Sequence, residues 1–407
     1  MDFDIKFINH ACFQIVKEEY SILCDPWFEG KVFNDSWSLL KNTKVEDLDL
    51  SKLKYIFISH EHPDHLNWGS LKKIREVCSQ KILVIMPERR NSNVHKNLIK
   101  IGFNSLQVPA NQEYSIEDNV KFSFFKKNHD AAIVFDVDNT VIFNKNDCEF
   151  SAEELVLIKN NLSKQIDILF NQFSLAGYYG NRDDNIKLQN AKDRHISDLI
   201  ETAKILEPKI TVPFASFITF CRNENQYLNK YIVSLEEIVA KSQNLNIYVP
   251  YYLENILFRK NKFEIEKITK KNCKQWSQIF KKNIKKDTHK TPKIESKHLK
   301  ESYDIMYKEL TELRSYSSLK LPDDTFTVFI QDINRYCKFS FLNSLMYMSD
   351  NKEKPDSIVA TVSSYDLNGF FKNPWGADTL NITSCFTAHD VEKWKKMLLV
   401  RDVCYVR

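Results

Sequence analysis

The fold is decided by residues 54–65: Lys54-Tyr55-Ile56-Phe57-Ile58-Ser59, then His60-Glu61-His62-Pro63-Asp64-His65. The first half is an apolar run of the kind that forms a buried strand. The second half places four potential metal ligands in six residues. In extended backbone, residues i and i+2 point to the same side, so His60 and His62 converge. Two imidazoles suit zinc or iron. Asp64 and His65 fall on the turn into a helix expected around 67–77, where they face a second ion. Three of only 10 histidines in the chain fall here, which disfavours a polar loop that is His-rich by chance.

Working outward, strands are expected at 3–8, 12–16, 20–24 and 81–86, then at 120–125, 131–137 and 140–143, the last two joined by an Asp138-Asn139 turn. Ser151-x-x-Glu154 and Ser234-x-x-Glu237 are capping boxes that open helices. A long helical pattern covers 185–206, between strands at 166–170 and 210–213. Many strands followed by β-α alternation describe an α/β architecture of sheets covered by helices on both outer faces.

The chain has 407 residues, 43% of them hydrophobic, which is enough for two cores. Only 7 glycines occur, with neither G-x-G-x-x-G nor G-x-x-x-x-G-K-[ST], which strongly disfavours Rossmann and P-loop readings. There is no basic start followed by an apolar stretch and no apolar run of spanning length, so neither a secretory signal nor a membrane span is expected. The 9 cysteines are scattered, without a C-x-x-C pair, which points to reduced thiols in the cytoplasm.

Residues 259–300 hold 15 Lys/Arg against 4 Asp/Glu. A solvated connection is the favoured reading over a surface for an anionic partner. Nucleic acid is disfavoured, because only Phe263, Trp276 and Phe280 are available there for base stacking. The domains are therefore read as 1–258, metal-binding; 259–296, a basic linker; and 297–407, a small α+β unit. That last unit has helices expected at 299–313, 366–371 and 390–400 and strands at 325–331, 338–342, 357–363 and 380–386.

The H-x-H-x-D-H motif, Asp25-Pro26-Trp27 after the third strand and the strand-then-motif order resemble the metallo-β-lactamase superfamily. The resemblance implies an αββα sandwich. It also implies that His60, His62 and His129 hold one divalent ion, that Asp64 and His65 hold a second, and that Asp147 bridges. Asp25 is then an acceptor orienting a ligand histidine, and His10 is a further candidate behind the ligands. One departure stands out: the family's last histidine, after a later strand, falls on Ala215. His195 is a candidate replacement, although its helical face reads as core.

Within the superfamily, the chain is similar to the catalytic part of the cytidine monophosphate-N-acetylneuraminate hydroxylases. The residues that carry this are Asn128-His129-Asp130, Asn146-Asp147-Cys148, Phe173-Ser174, Gly177, Gly180, 213–217 and Pro374-Trp375-Gly376-Ala377-Asp378-Thr379-Leu380. Those hydroxylases carry a Rieske domain, for which no Cys-x-His pattern occurs here, so an oxygenase would draw electrons from another protein. The C-terminal part also resembles a sterol-carrier-like domain.

Three functions follow. The first is a hydrolase in which a metal-activated water attacks an anionic substrate (phosphorylated, nucleotide-sugar or lipid-like), with Asp64 and Asp147 as its catalytic carboxylates. The second is a diiron oxygenase. The third is a non-catalytic metal-binding protein. Arg182, Arg222 and Tyr179 are candidate substrate contacts. Five of the seven glycines (Gly30, Gly69, Gly177, Gly180 and Gly376) lie beside these segments, which predicts positive φ there.

Overall fold

The computed structural model describes residues 3–405 except 90, 91, 261, 287, 317–320, 353, 354 and 356. Its first sheet runs in the order Asp4–Asn9, Cys12–Val16, Ser21–Cys24, Leu53–Phe57, Leu83–Pro87, Asn104–Val108. The first three strands pair antiparallel and the rest parallel. The second sheet runs Ile210–Phe214, Ile168–Gln172, Thr140–Asn146, Asp130–Val137, Val120–Lys127, Glu113–Glu117.

Alternation along each strand divides the core. Phe7, Phe13, Phe57, Phe124, Phe135, Phe170 and Phe214 fill the space between the sheets. Phe13 stacks on Phe170 at 4.7 Å, and Phe57 meets Phe135 edge-on at 4.8 Å. The opposite residues of the first sheet (Ile8, Leu23, Ile56, Ile58 and Val84) pack under helices Trp68–Val77 and Val94–Lys100. Those of the second (Val134, Val141, Phe143 and Leu169) pack under Ala152–Asn161 and Asn185–Leu206. This is the four-layer αββα sandwich.

The basic tract is not a linker. Residues Lys262–Asn283 form one helix whose Ile265, Cys273 and Trp276 are buried in the inter-sheet core, with Trp276 donating from Nε1 to Pro250 O. The lysines are the solvated face of this helix. The second core lies in a five-stranded sheet, in the order Met346–Asp350, Arg335–Ser340, Thr325–Ile330, Ala360–Val362, Phe386–Ala388, packed with helix Ser296–Tyr316. Residues 380–386, expected as a strand, split instead. Gly376–Thr383 is a helix closed by left-handed Ser384, and the strand is only Phe386–Ala388. Leu380 and Ile382 fit either period, and packing decides. A Cβ on Gly376 would lie 2.6 Å from Gly369 O and from Phe370 Cα and O, so only glycine lets this helix sit on Ser364–Lys372.

The two units meet through buried polar contacts. Arg222 and Asp366, both 0% exposed, form a bidentate pair at 2.8 and 2.7 Å. Asn225 donates to Thr383 O, while Asn181 both donates to Ala388 O and accepts from its N–H.

Candidate metal centre

The strand Leu53–Phe57 ends beside the second sheet, and His60, His62, Asp64 and His65 follow it on irregular backbone. His60 Nε2 lies 2.9 Å from His62 Nδ1, 3.6 Å from Asp130 Oδ1 and 3.9 Å from Asp147 Oδ2. His65 Nε2 lies 3.2 Å from the same Asp147 oxygen and 3.5 Å from Asp64 Oδ2. Asp64 Oδ2 is in turn 3.1 Å from His10 Nε2. Three groups of donors therefore converge within 4.8 Å of one another: His60, His62 and Asp130; His60, His65 and Asp147; and His10, Asp64 and His65.

The chemistry of this set fits cations. His60 Nε2 and His62 Nδ1 face each other at 2.9 Å, so both can turn a lone pair to one ion. Asp64 Oδ1 and Asp130 Oδ1 are buried without a hydrogen-bond partner. Charges in the bare cluster also conflict. Burial raises the Asp130 carboxyl to about 6 against the pull of His62. Burial alone would lower His62, but the adjacent Asp378 carboxylate raises it to about 9. Divalent ions would remove these conflicts together. Asp147 Oδ2, between the two histidine groups, could serve both ions, and its Oδ1 is held by Gln172 Nε2 at 2.9 Å.

The outer contacts set the rings. Asp25 accepts from Ser59 N and Ser59 Oγ at 2.8 Å each, and lies 3.0 Å from His65 Nδ1. His60 Nδ1 contacts Ser59 Oγ at 3.0 Å. Each ring thus turns Nε2 inward, the arrangement in which an outer acceptor fixes the tautomer of a ligand histidine.

Several sequence expectations are redistributed. His129 is half-buried on the turn before strand Asp130–Val137, beside Arg89, Asp378 and His62, and it belongs to none of the three donor groups among the described residues. Its neighbour Asp130 occupies the inward position. His10 Nε2 meets Asp64 Oδ2 at 3.1 Å, a place that suits either a contact behind that carboxylate or a further donor, and its carbonyl accepts from Ala215 N–H at 2.9 Å. The opening hairpin thus brings His10 beside Ala215. His195 Nε2 instead meets the Tyr179 hydroxyl at 2.9 Å, and His195 belongs to none of the three donor groups among the described residues. Arg222 is not a substrate contact. Its Nε meets Glu224, and its Nη atoms meet Asn34 O, Ser363 Oγ and both Asp366 oxygens, which uses every donor of the fork. Arg182 is exposed and donates to Asn223 O.

Positive φ is found at Gly30 and Gly102 but at none of the other glycines. The left-handed turns of the site are made instead by His10 (25°), Asp25 (43°), Asn128 (55°), Asn146 (50°) and Ala215 (51°). Such strain concentrates where surrounding contacts over-determine the backbone. Sequence reasoning missed Asp130, Gln172 and Asp378. Asp130 and Asp378 both sat in segments singled out for other reasons.

Residues 4–150 match the family described as "Beta-lactamase superfamily domain". The chain is 22% identical over 261 residues to the cytidine monophosphate-N-acetylneuraminic acid hydroxylase of Danio rerio, covering 58% of this chain and 43% of that one. It is 27% identical over 152 residues to the Xenopus laevis protein of the same name, covering 35% and 25%. The chain thus spans less than half the length of these curated relatives. Among solved structures, CmlA, a diiron beta-hydroxylase from Streptomyces venezuelae, aligns at 15% identity with a TM-score of 0.46 over 63% of this chain and 54% of that one. Igni18, a metallo hydrolase from Ignicoccus hospitalis, aligns at 16% identity with a TM-score of 0.44 over 62% and 97%.

Proposed function

We propose, starting from a metallo-β-lactamase-superfamily domain that resembles the hydroxylases, that this chain is a diiron oxygenase acting on an anionic organic substrate. One observation carries the reading. The donors divide into two sets of two histidines and one carboxylate: His60, His62 and Asp130, and His10, His65 and Asp64, with Asp147 between them. Two histidines plus one carboxylate per ion, with open positions, is the donor pattern of non-haem iron oxygenases. The names of the curated relatives support the same choice.

Iron bound at such a site supplies activation of O₂. The net reaction is R–H + O₂ + 2e⁻ + 2H⁺ → R–OH + H₂O, with both electrons delivered by a separate electron-transfer protein. The chain's own part is positioning. Asp25 and Ser59 hold the His65 and His60 rings, Gln172 holds Asp147, and Trp27 and Phe33 pack edge-on against His10 and His62, keeping water from those faces. No helix among the described residues is long and apolar enough to cross a membrane, and the described cysteines are unpaired, which supports a cytoplasmic setting.

Hydrolysis is the second reading. It is favoured by the buried Asp64–His10 contact, which could hold the proton released by an attacking water. The two are separated by loading the apo-protein with Fe²⁺ anaerobically, reducing it, and following O₂ uptake. Iron at about two per chain with O₂ consumption supports the oxygenase. Uptake of zinc alone, with turnover of phosphoester or lactone substrates and no O₂ consumption, replaces it with the hydrolase.

A further inference from the structure

His62 differs from the other histidines of the cluster in where its outer nitrogen goes. His60 and His65 turn their Nδ1 atoms to Ser59 and Asp25, inside the sandwich. His62 is reversed: Nδ1 faces the cluster, and Nε2 lies 2.7 Å from Asp378 Oδ2, 316 residues further along and in the C-terminal unit. With Nδ1 turned to an ion, the only proton on the neutral ring sits on Nε2 and is donated to Asp378.

Asp378 is held in that position. It lies in the first turn of helix Gly376–Thr383, whose start touches the backbone at Gly369 and Phe370 through Gly376. The Ser364–Lys372 helix beneath it is tied to the sandwich by the Arg222–Asp366 pair, and Asn225 binds Thr383 O at the far end. The bland account is that Asp378 stabilises its own helix start by its charge. That account does not require the carboxylate to meet a ring nitrogen, and an Asp378 in that role would leave metal affinity untouched.

We infer that the C-terminal unit is a working part of the metal centre: Asp378 is a positioning residue that fixes the tautomer and orientation of His62 across the domain boundary. The inference rests on the metal-binding reading above but on neither the identity of the metal nor the reaction. The sandwich therefore holds the His10, Asp64 and His65 set by itself, whereas the His60, His62 and Asp130 set reaches full affinity when the second unit is docked.

The test is a Co²⁺ titration of full-length apo-protein in competition with a chelator, followed by the cobalt absorption bands, together with the urea midpoint of each apo-protein. Wild type should bind two ions. Asp378→Asn should weaken one of them 10–100-fold, the usual effect of losing an outer carboxylate, and leave the other unchanged. Asp378→Glu should recover most of the loss, and all apo midpoints should agree. Because the Asp378 side chain is about one-third exposed, its replacement is compatible with folding. Two ions of unchanged affinity in Asp378→Asn overturn the inference, and so does equal weakening of both ions with a lowered apo midpoint. A wild-type chain that binds no cobalt overturns the metal reading as well.

Discussion

Replacing Asp366 with leucine leaves the Arg222 guanidinium buried without its counter-charge. Both side chains are 0% exposed, and the pair contributes two charge-assisted bonds of 2.8 and 2.7 Å. Asp366 also accepts from Ser363 Oγ at 2.6 Å, while its own N–H is capped by that hydroxyl, so the start of helix Ser364–Lys372 loses a contact too. Removing one partner of a buried pair costs about 3–5 kcal/mol. With a urea m-value of about 3 kcal/mol/M, the midpoint should fall by roughly 1–1.7 M. The double variant Arg222→Met/Asp366→Leu removes both charges and should recover most of that loss, since well-packed apolar replacements of buried pairs are often near neutral. The assay is urea unfolding followed by tryptophan fluorescence, for which the chain's 6 tryptophans provide the signal. A single-variant cost under about 1 kcal/mol, or a double variant no better than the single, would refute the view that this pair clamps the two units.

Asp130→Ala should reduce bound metal from about two ions to one, whereas His129→Ala should leave it at two; elemental analysis of both variants decides between the neighbours. His10→Ala should release the other ion while the His60 set is retained, read by the same analysis. Stripping metal with a chelator should lower the thermal midpoint, and re-addition at a hundredfold excess over Kd should return about 2.7 kcal/mol per ion. Gly376→Ala should cost about 3 kcal/mol in chemical denaturation, at the upper end of overpacking, because its new methyl meets backbone atoms that cannot move aside.

Local patterns were legible in the sequence where local forces decide. Helix Asn185–Leu206 and the capping boxes at Ser151 and Ser234 lie where the sequence puts them, because their signals sit within a few residues. The His60–His65 segment stood out as a candidate metal site for the same reason. What escaped depends on distance or on competition between patterns. The charges along Lys262–Asn283 masked a buried stripe of Ile265, Cys273 and Trp276 that has helical spacing. His129 and Asp130 are adjacent at a strand end, where a one-residue change of register reverses which side chain points inward. His10 could be weighed only as a residue near the site, because its place beside Asp64 is fixed by pairing of the opening hairpin and by Ala215, about 200 residues away.

The contact between His62 and Asp378 also has a consequence in time. About 370 residues separate His10 from Asp378, so at 5–20 residues per second the first donor leaves the ribosome roughly 20–70 s before the last partner of the cluster. For that interval the nascent chain exposes imidazoles and carboxylates whose final arrangement does not yet exist. An ion captured then at the His62 set meets a cage without its Asp378 contact, so that set is completed only after synthesis, when the second unit has docked.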